Sequence, residues 1–479
     1  MVHTPLQAVY DATRDPVHTY LASLAGRPVR PDASPDEVRS IVDRSLPEES
    51  MDAVEVVTQL ARDVEPFVAA HSSGRYFGFV VGGLHPAAYG AELLMATWDQ
   101  NAGLFAVAPG VTIVEEVAAR WIIELLRLPT DCSVGFVTGG QMATFTCLAA
   151  ARHHLLRAVG WDVEADGLHQ APRLHIIFKA GVHSTVPRAL RYLGLGERTA
   201  VEVASDDQDR ILIEDLHATM RELDGPTIVC VEAGNVNTGA FDDFDAVADA
   251  AQAHRDRGNP TWVHVDGAVG LLASAAPSCT ALTSGLARLD SWSTDGHKLL
   301  NVAYDCGIAI TRHAQAHRAA MSVHADYLVQ DEGAVREPLD WNPEFSRRAR
   351  GLGVYATVRA LGRCGVVRLV ETTSTLARRF AYQLSESGCA QVVNDVVFNQ
   401  VLVRWLPPEG WLSDAANDAD SWNDEVVARV QRGGTAFVSG TTWRGDRMMR
   451  ISVSDHATTE GDVDRAVAAM LHVASLNWS

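Results

Sequence analysis

Cysteine is scarce in this chain, and its spacing is unpaired. Seven cysteines stand at positions 132, 147, 230, 279, 306, 364 and 389, an odd number with no Cys-x-x-Cys among them. That excludes a disulfide framework and fits a reducing cytoplasm, with most thiols acting as small core residues. Long apolar runs are missing as well. Stretches such as Ile211 to Ile213 and Ile308 to Ile310 fall far short of the roughly 20 residues that span a bilayer. The first residues, Met1-Val2-His3-Thr4-Pro5, show no basic stretch followed by an apolar one, so no signal peptide is expected. Positive charge is in deficit, with 40 basic against 60 acidic residues and a net charge of -20. That argues against a nucleic-acid partner and against an anionic membrane surface. His183, His264 and His297 invite a metal reading, but no His-Glu-x-x-His or paired Cys/His spacing supports one, and no metal is expected.

The 479 residues are enough for two or more packed domains. A hydrophobic content of 47% with 21% charged residues is ordinary for a soluble globular enzyme. Residues 1–75 read as a helical arm, with Ser34-Pro35-Asp36-Glu37 as a helix start. Such an arm serves oligomerisation or packs on its own subunit; the sequence leaves both open. From about residue 75 to 310, short apolar runs alternate with helix-like segments. The runs are Val134 to Val137, Leu174 to Phe178, Ala200 to Val203, Ile228 to Val231, Trp262 to Val265 and Gly307 to Ile310. The alternation predicts a mainly parallel sheet with helices on both faces, which binds ligands beyond the carboxyl ends of its strands. Residues 76–365 are taken as this large domain. Gln330 to Pro338 reads as a loop and Ser346 to Leu361 as a helix. Residues 366–479 are taken as a smaller α+β domain with strands near Val392 to Val403 and Met449 to Val453. Ser413 to Trp422 reads as an acidic loop.

The chemistry centres on Trp292-Ser293-Thr294-Asp295-Gly296-His297-Lys298-Leu299-Leu300-Asn301. Upstream, Trp262-Val263-His264-Val265-Asp266-Gly267-Ala268 reads as a buried strand ending in an acid. An acid at a strand end and a lysine a few dozen residues later are what a pyridoxal phosphate site needs. The lysine forms the Schiff base, and the acid keeps the pyridine nitrogen protonated so that the ring can take up electrons. Thr138-Gly139-Gly140-Gln141, between a strand and a helix, offers bare backbone N–H groups and a helix dipole to a phosphate. His183 follows another strand, where a flat imidazole can stack on a pyridine ring and give up a proton. Each feature alone has an ordinary structural explanation. Four of them in this order, each at a strand end, point to one site.

On these residues the chain resembles the group II pyridoxal-phosphate-dependent amino acid decarboxylases, which include the aromatic amino acid and glutamate decarboxylases. The resemblance covers nearly the whole chain. It rests on Gly74-Arg75-Tyr76-Phe77-Gly78-Phe79 followed by Gly82-Gly83 and Pro86, on Gly139 to Thr144, on Val182-His183-Ser184, and on the Gly-rich turn Glu232 to Asp242. His264-Val265-Asp266, Asp295-Gly296-His297-Lys298, Tyr304 to Gly307, Ser346-Arg347-Arg348 and Met449 to Val453 complete it. The resemblance implies the fold-type I, aminotransferase-like α/β architecture, with a large mainly parallel sheet domain and a small C-terminal α+β domain. It implies a homodimer with active sites at the interface, and pyridoxal 5'-phosphate bound by Gly139, Gly140, Gln141, His183, Asn235, Asp266, Ala268, His297 and Lys298. It places Tyr76, Phe77, Phe79 and Arg450 on the substrate side, where the three rings favour an aromatic or apolar substrate.

The chain departs from the family pattern at three places. Gln141 stands where a threonine or serine is usual, and Leu299 where a tryptophan is common. A loop tyrosine that many members use to protonate the carbanion corresponds to about Pro338, and Tyr327 is the nearest phenol upstream. The expected activity is decarboxylation of an L-amino acid to its amine. Lys298, Asp266 and His183 would be catalytic, and Tyr327 or His183 the proton donor. Two alternatives follow. One is an aldehyde synthase, which diverts the carbanion to oxygen and is motivated by the missing tyrosine. The other is a non-catalytic family member, against which the intact Lys298, Asp266 and His183 argue.

Overall fold

The computed structural model describes residues 4–322, 336–408 and 418–475. It comprises two compact units. One takes Gly82–Arg378 and Asn394–Val401; the other takes Met1–Val81, Arg379–Val393 and Leu402–Ser479. The boundary read from sequence at residue 365 falls inside a helix, Gly351–Glu386. That helix is broken at Gly362, which adopts φ 60° and ψ 177°. Its start lies five residues beyond the expected Ser346, because the preceding turn is held by a buried ion pair. Arg347 sends both terminal nitrogens to Glu115, at 2.6 and 2.9 Å, and Gly351 N–H donates to the same carboxylate at 2.9 Å.

The larger unit is built on seven strands: β1 Ser133–Val137, β2 His175–Lys179, β3 Val201–Val203, β4 Thr227–Glu232, β5 Thr261–Asp266, β6 Ser291–Asp295 and β7 Gly307–Thr311. Their order is β1-β7-β6-β5-β4-β2-β3, and β7 alone runs against the rest. The expected alternation of strands and helices is what folds this way. Along β4, Val229 and Val231 join one core, with Phe244 and Val247 of the helix Phe244–Asp256. Ile228 and Cys230 join the core on the other face, with Leu148 and Leu155 of the helix Gly140–Ala158. Side chains that alternate along a strand thus feed two helical layers, so the strand must be apolar throughout.

β6 breaks that rule. Its Ser-Trp-Ser-Thr-Asp sequence has no apolar run, yet Ser291 and Ser293 are fully buried. The hydroxyls are satisfied inside the sheet: Ser291 Oγ by Trp262 Nε1 at 2.8 Å and His264 Nδ1 at 2.9 Å, Ser293 Oγ by Thr144 Oγ1 at 3.0 Å. Buried polar groups with partners are tolerated where unpartnered ones are not.

In the smaller unit, β8 Ala390–Val392, β9 Gln400–Trp405, β10 Ser439–Trp443 and β11 Asp446–Ser452 form a sheet in the order β10-β11-β9-β8. Arg444 and Gly445 join β10 to β11 with φ of 53° and 92°, the twin positive values that a tight hairpin needs. The segment 418–422 is not a loop: a helix, Asp418–Arg432, begins there and buries Trp422 completely. Helices Pro5–Ser23, Pro35–Val42 and Ala53–Val64 make up the N-terminal arm, and none has a buried residue. Ser34 caps the second of them, accepting from Glu37 N–H at 3.1 Å. Among the described residues no helix is long and apolar enough to cross a membrane.

Candidate active site

The carboxyl ends of β2, β4, β5 and β6 carry Lys179, Glu232, Asp266 and Asp295. The chain returns to this edge four times, so residues far apart in sequence meet there. A cleft opens among His183, Glu232, Gly234, Val236, Asp266, Ala268, Val269 and Lys298. His183, Asp266, Ala268 and Lys298, all expected from sequence, line it together.

Asp266 ends β5 and is 6% exposed. Its carboxylate accepts from Ala268 N–H at 3.1 Å and from the Thr185 hydroxyl at 3.0 Å. Burial raises its pKa above the usual carboxylate range; the nearby His183 and Lys298 oppose this and Glu232 adds to it. Thr185 also lies 2.9 Å from His183 Nδ1. The Thr185 N–H reaches the same ring nitrogen at 3.4 Å, so this one residue fixes the imidazole by both its hydroxyl and its backbone.

Lys298 follows β6 in a tight turn. Its Nζ lies 3.1 Å from Asp295 Oδ2, while Asp295 Oδ1 accepts Gly140 N–H at 2.5 Å. A side chain at Gly82 would collide with the Lys298 carbonyl oxygen at 1.9 Å. Only glycine lets the 82–85 segment close over this turn, where His85 N–H donates to Asn301 O at 2.9 Å. His297 accepts Cys306 N–H on Nδ1 at 3.1 Å and stacks on Tyr304 at 4.2 Å. Burial lowers its pKa against the pull of Asp295.

Gly139 and Gly140 lie where β1 enters the helix Gly140–Ala158, which has no side-chain cap at its N-terminus. A Cβ at Gly140 would meet Asp295 Oδ2 at 2.6 Å. The backbone here must be bare, and its N–H groups and helix dipole suit a phosphate. Gln141 departs from the resembled pattern with a visible consequence: its Nε2 donates to Thr185 O at 3.2 Å, tying this helix to the His183 turn. Leu299 is 3% exposed and borders a small apolar cavity with Ile122, Leu126 and Ile308. An amine, an acid and a flat ring around one cavity, with a glycine-opened helix N-terminus meeting Asp295 beside Lys298, fit pyridoxal phosphate. Among the described residues no three His, Cys, Asp or Glu side chains are placed to hold a metal ion.

Asn235 is 1% exposed, and its side chain shapes its own turn. Its Oδ1 accepts Asn237 and Thr238 N–H, and its Nδ2 donates to Glu232 at 2.9 Å; its neighbours Gly234 and Val236 line the cavity instead. Tyr76, Phe77, Phe79 and Arg450 belong to the smaller unit. There Tyr76 stacks on Phe437 at 4.7 Å and Phe77 meets Phe380 edge-on at 4.9 Å, while Phe79, 62% exposed, presents its ring. Arg450 is buried, and desolvation pushes its pKa down to about 10. Tyr327 lies outside the described residues. Pro338 opens a short 3-10 turn, Pro338–Trp341, and is itself buried. Thr185, Asp295, Glu232 and Lys179 were not singled out in sequence. All but Thr185 are charged residues closing a strand, which is the signal that could have found them.

The family model described as "Pyridoxal-dependent decarboxylase conserved domain" matches residues 35–405. The aromatic-L-amino-acid decarboxylase of Bacillus atrophaeus is 25% identical over 454 residues, 93% of this chain and 91% of that one. Tryptophan decarboxylase 1 of Oryza sativa subsp. japonica is 27% identical over 472 residues, covering 94% and 90%. A phenylacetaldehyde synthase of Arabidopsis thaliana is 22% identical over 467 residues, covering 94% and 92%. Among solved structures, Oryza sativa TDC with PLP and tryptamine superposes with a TM-score of 0.88 at 24% identity, over 98% of this chain and 97% of that one.

Proposed function

This chain belongs to the pyridoxal-dependent decarboxylases, and from that premise we propose that it converts an L-amino acid to the corresponding amine and CO2 at the Lys298–Asp266–His183 cavity. Membership makes it a carboxy-lyase with pyridoxal 5'-phosphate as its cofactor. The observation that carries the finer reading is the convergence of those three side chains on one cleft.

The bound cofactor supplies a protonated pyridine ring that takes up the electron pair left at Cα as CO2 departs. Lys298 is the amine that would hold it covalently, released from Asp295 when it does so. Gly139, Gly140 and Gln141 would present the phosphate with backbone N–H groups, the Gly140 N–H leaving Asp295 to do so, with His297 beside them. Asp266 would face the ring nitrogen. Its carboxylate is held by two neutral donors, so its charge is available to a cation, and a charge-assisted hydrogen bond is among the strong ones. His183 would cover the ring face, fixed by Thr185. The proton needed at Cα is best supplied by His183, whose ring lines the cavity while Thr185 holds Nδ1.

One observation favours a second reading, decarboxylation with oxidative deamination to an aldehyde. The position resembling the family's loop tyrosine is Pro338, which has no hydroxyl. A relative named as a phenylacetaldehyde synthase agrees with this option. The substrate is proposed to be aromatic or apolar, on the exposed ring of Phe79 and on the aromatic relatives. A homodimer is supported by large apolar side chains left exposed along the N-terminal arm, such as Leu6, Tyr10, Val17 and Leu21, and by Leu94, Trp98 and Val107 on the larger unit. A cytoplasmic setting is supported by seven free thiols, five of them buried.

The test is to load the purified protein with pyridoxal phosphate and screen the twenty amino acids for CO2, amine, ammonia and peroxide. Amine with CO2 in equal amounts supports the first reading, and ammonia with peroxide the second. CO2 release from none would remove both.

A further inference from the structure

Of the forty Lys and Arg residues in this chain, two are lysines: Lys179 and Lys298. Everywhere else a cation is needed, the chain uses arginine. Lys298 is explained by the cofactor. Lys179 closes β2, two strands away from Asp266, and is 1% exposed. Its Nζ lies 2.7 Å from Glu232 Oε2 and also donates to the Asp209 carbonyl oxygen.

Glu232 is the strand-end neighbour of Asp266 in the pairing of β4 with β5. Its free oxygen, Oε1, accepts His183 N–H at 3.1 Å, while Oε2 also accepts from Asn235 Nδ2 at 2.9 Å. One carboxylate therefore holds both the stacking histidine and the Gly-rich turn. Asp242 lies behind it, its carboxylate accepting Glu232 N–H at 2.7 Å and Ile211 N–H at 2.7 Å. The edge thus buries three acids in a row, Asp242, Glu232 and Asp266, with Lys179 as the cation inserted among them. An unpaired buried charge is costly, and removing one partner of a buried pair exposes that cost. Burial opposes both charges of the pair, yet their mutual attraction holds Glu232 below the usual carboxylate range and Lys179 above the usual ammonium range.

We propose that Lys179 and Glu232 are positioning residues for the cofactor: a fixed ion pair that anchors His183 and neutralises Glu232, so that Glu232 adds no net charge beside the Asp266 carboxylate that would face the ring nitrogen. A lysine suits this place because its compact ammonium can point at a carboxylate and a carbonyl within a fully enclosed space, where a planar guanidinium cannot. The inference rests on the site reading above.

Its test measures pyridoxal phosphate affinity by spectroscopic titration, with melting curves as a check on folding, in Lys179→Met, Glu232→Gln and the double variant. Each single change leaves one buried charge beside Asp266. Each is expected to weaken binding by roughly tenfold, the size of coupling found within one buried ion-pair network. The double variant removes both charges and keeps an oxygen for His183 N–H, and it is expected to return to within a few-fold of wild type. A packing role would make the double variant no better than the worse single one, and that result overturns the proposal. Should Lys179→Met alone not fold, the comparison of Glu232→Gln with the double variant decides. Tighter binding in the double supports the charge pair, and weaker binding overturns it. Asp266→Ala serves as the control. If it leaves affinity intact, the site reading itself has failed; if it weakens affinity while the pair variants match wild type, only the pair proposal has.

Discussion

Two buried aspartates stand at opposite edges of the same sheet and are treated in opposite ways. Asp290, just before β6, receives a full set of partners: Arg255 at 2.7 Å, Val263 N–H at 2.8 Å and His313 Nε2 at 2.9 Å. Asp266, at the end of the neighbouring β5, is equally buried but is held by an amide and a hydroxyl, both neutral. An acid with a built-in cation closes the fold. An acid left with neutral donors costs stability until a cation arrives. The difference locates function at the carboxyl edge without reference to any motif, and it is the pattern expected where perturbed groups cluster at sites.

Each of four substitutions would break or sharpen that contrast. The largest effect is expected from Lys298→Ala, which should abolish turnover and the visible absorbance of the lysine-linked cofactor; full activity would remove the assignment. Asp266→Ala should lower the rate by about 10²–10³-fold, the scale of a preorganised electrostatic contact, with the melting temperature held. Asp290→Ala should do the reverse. It is expected to cost about 2–3 kcal/mol of stability, the range for hydrogen bonds to a charged group, with the rate per folded molecule unchanged. A rate loss in Asp290→Ala as large as that in Asp266→Ala would erase the comparison. Thr185→Val should give the smallest change, a several-fold loss seen in both cofactor affinity and rate, because it removes only the hydroxyl between His183 and Asp266.

The raised pKa of Asp266 adds a pH signature. A carboxyl group with a folded pKa above its unfolded value of about 3.9 contributes stability below that unfolded value. The contribution is lost as pH rises through the folded pKa. Asp266→Asn carries no such loss. Without cofactor, that variant should be more stable than wild type at neutral pH, by about 0.5–2 kcal/mol, and the gap should close in acid. Thermal melts across pH would show it, and a constant gap would contradict the sign.

Much of this architecture was legible in sequence because a strand buried on both faces must be largely apolar, and six of the seven strands of the large sheet coincide with short runs read from the sequence, although the edge strand β3, Val-Glu-Val, exposes Glu202. β6 was not read as a strand, since its serines are satisfied by Trp262, His264 and Thr144, which only the fold brings together. Asp266 and His183 were legible because each ends or follows a recognisable strand, and Lys298 because it closes the Asp295-Gly296-His297-Lys298 run. The Lys179–Glu232 pair was not, because nothing in sequence says which strands are neighbours. Helix Gly351–Glu386 ran past its expected end since glycine at 362 permits a break and not a stop. Of the aromatic residues near 77, Tyr76 and Phe77 pack within their own unit and Phe79 shows its ring.

The central claim is that Lys298 holds the cofactor, and a chain with two lysines allows a clean test. The protein is loaded with pyridoxal phosphate, reduced with borohydride and mapped by peptide mass spectrometry. The account predicts the cofactor's mass on the peptide containing Lys298, with Lys179 unmodified. Label on Lys179, on the terminal amine, or nowhere would contradict it.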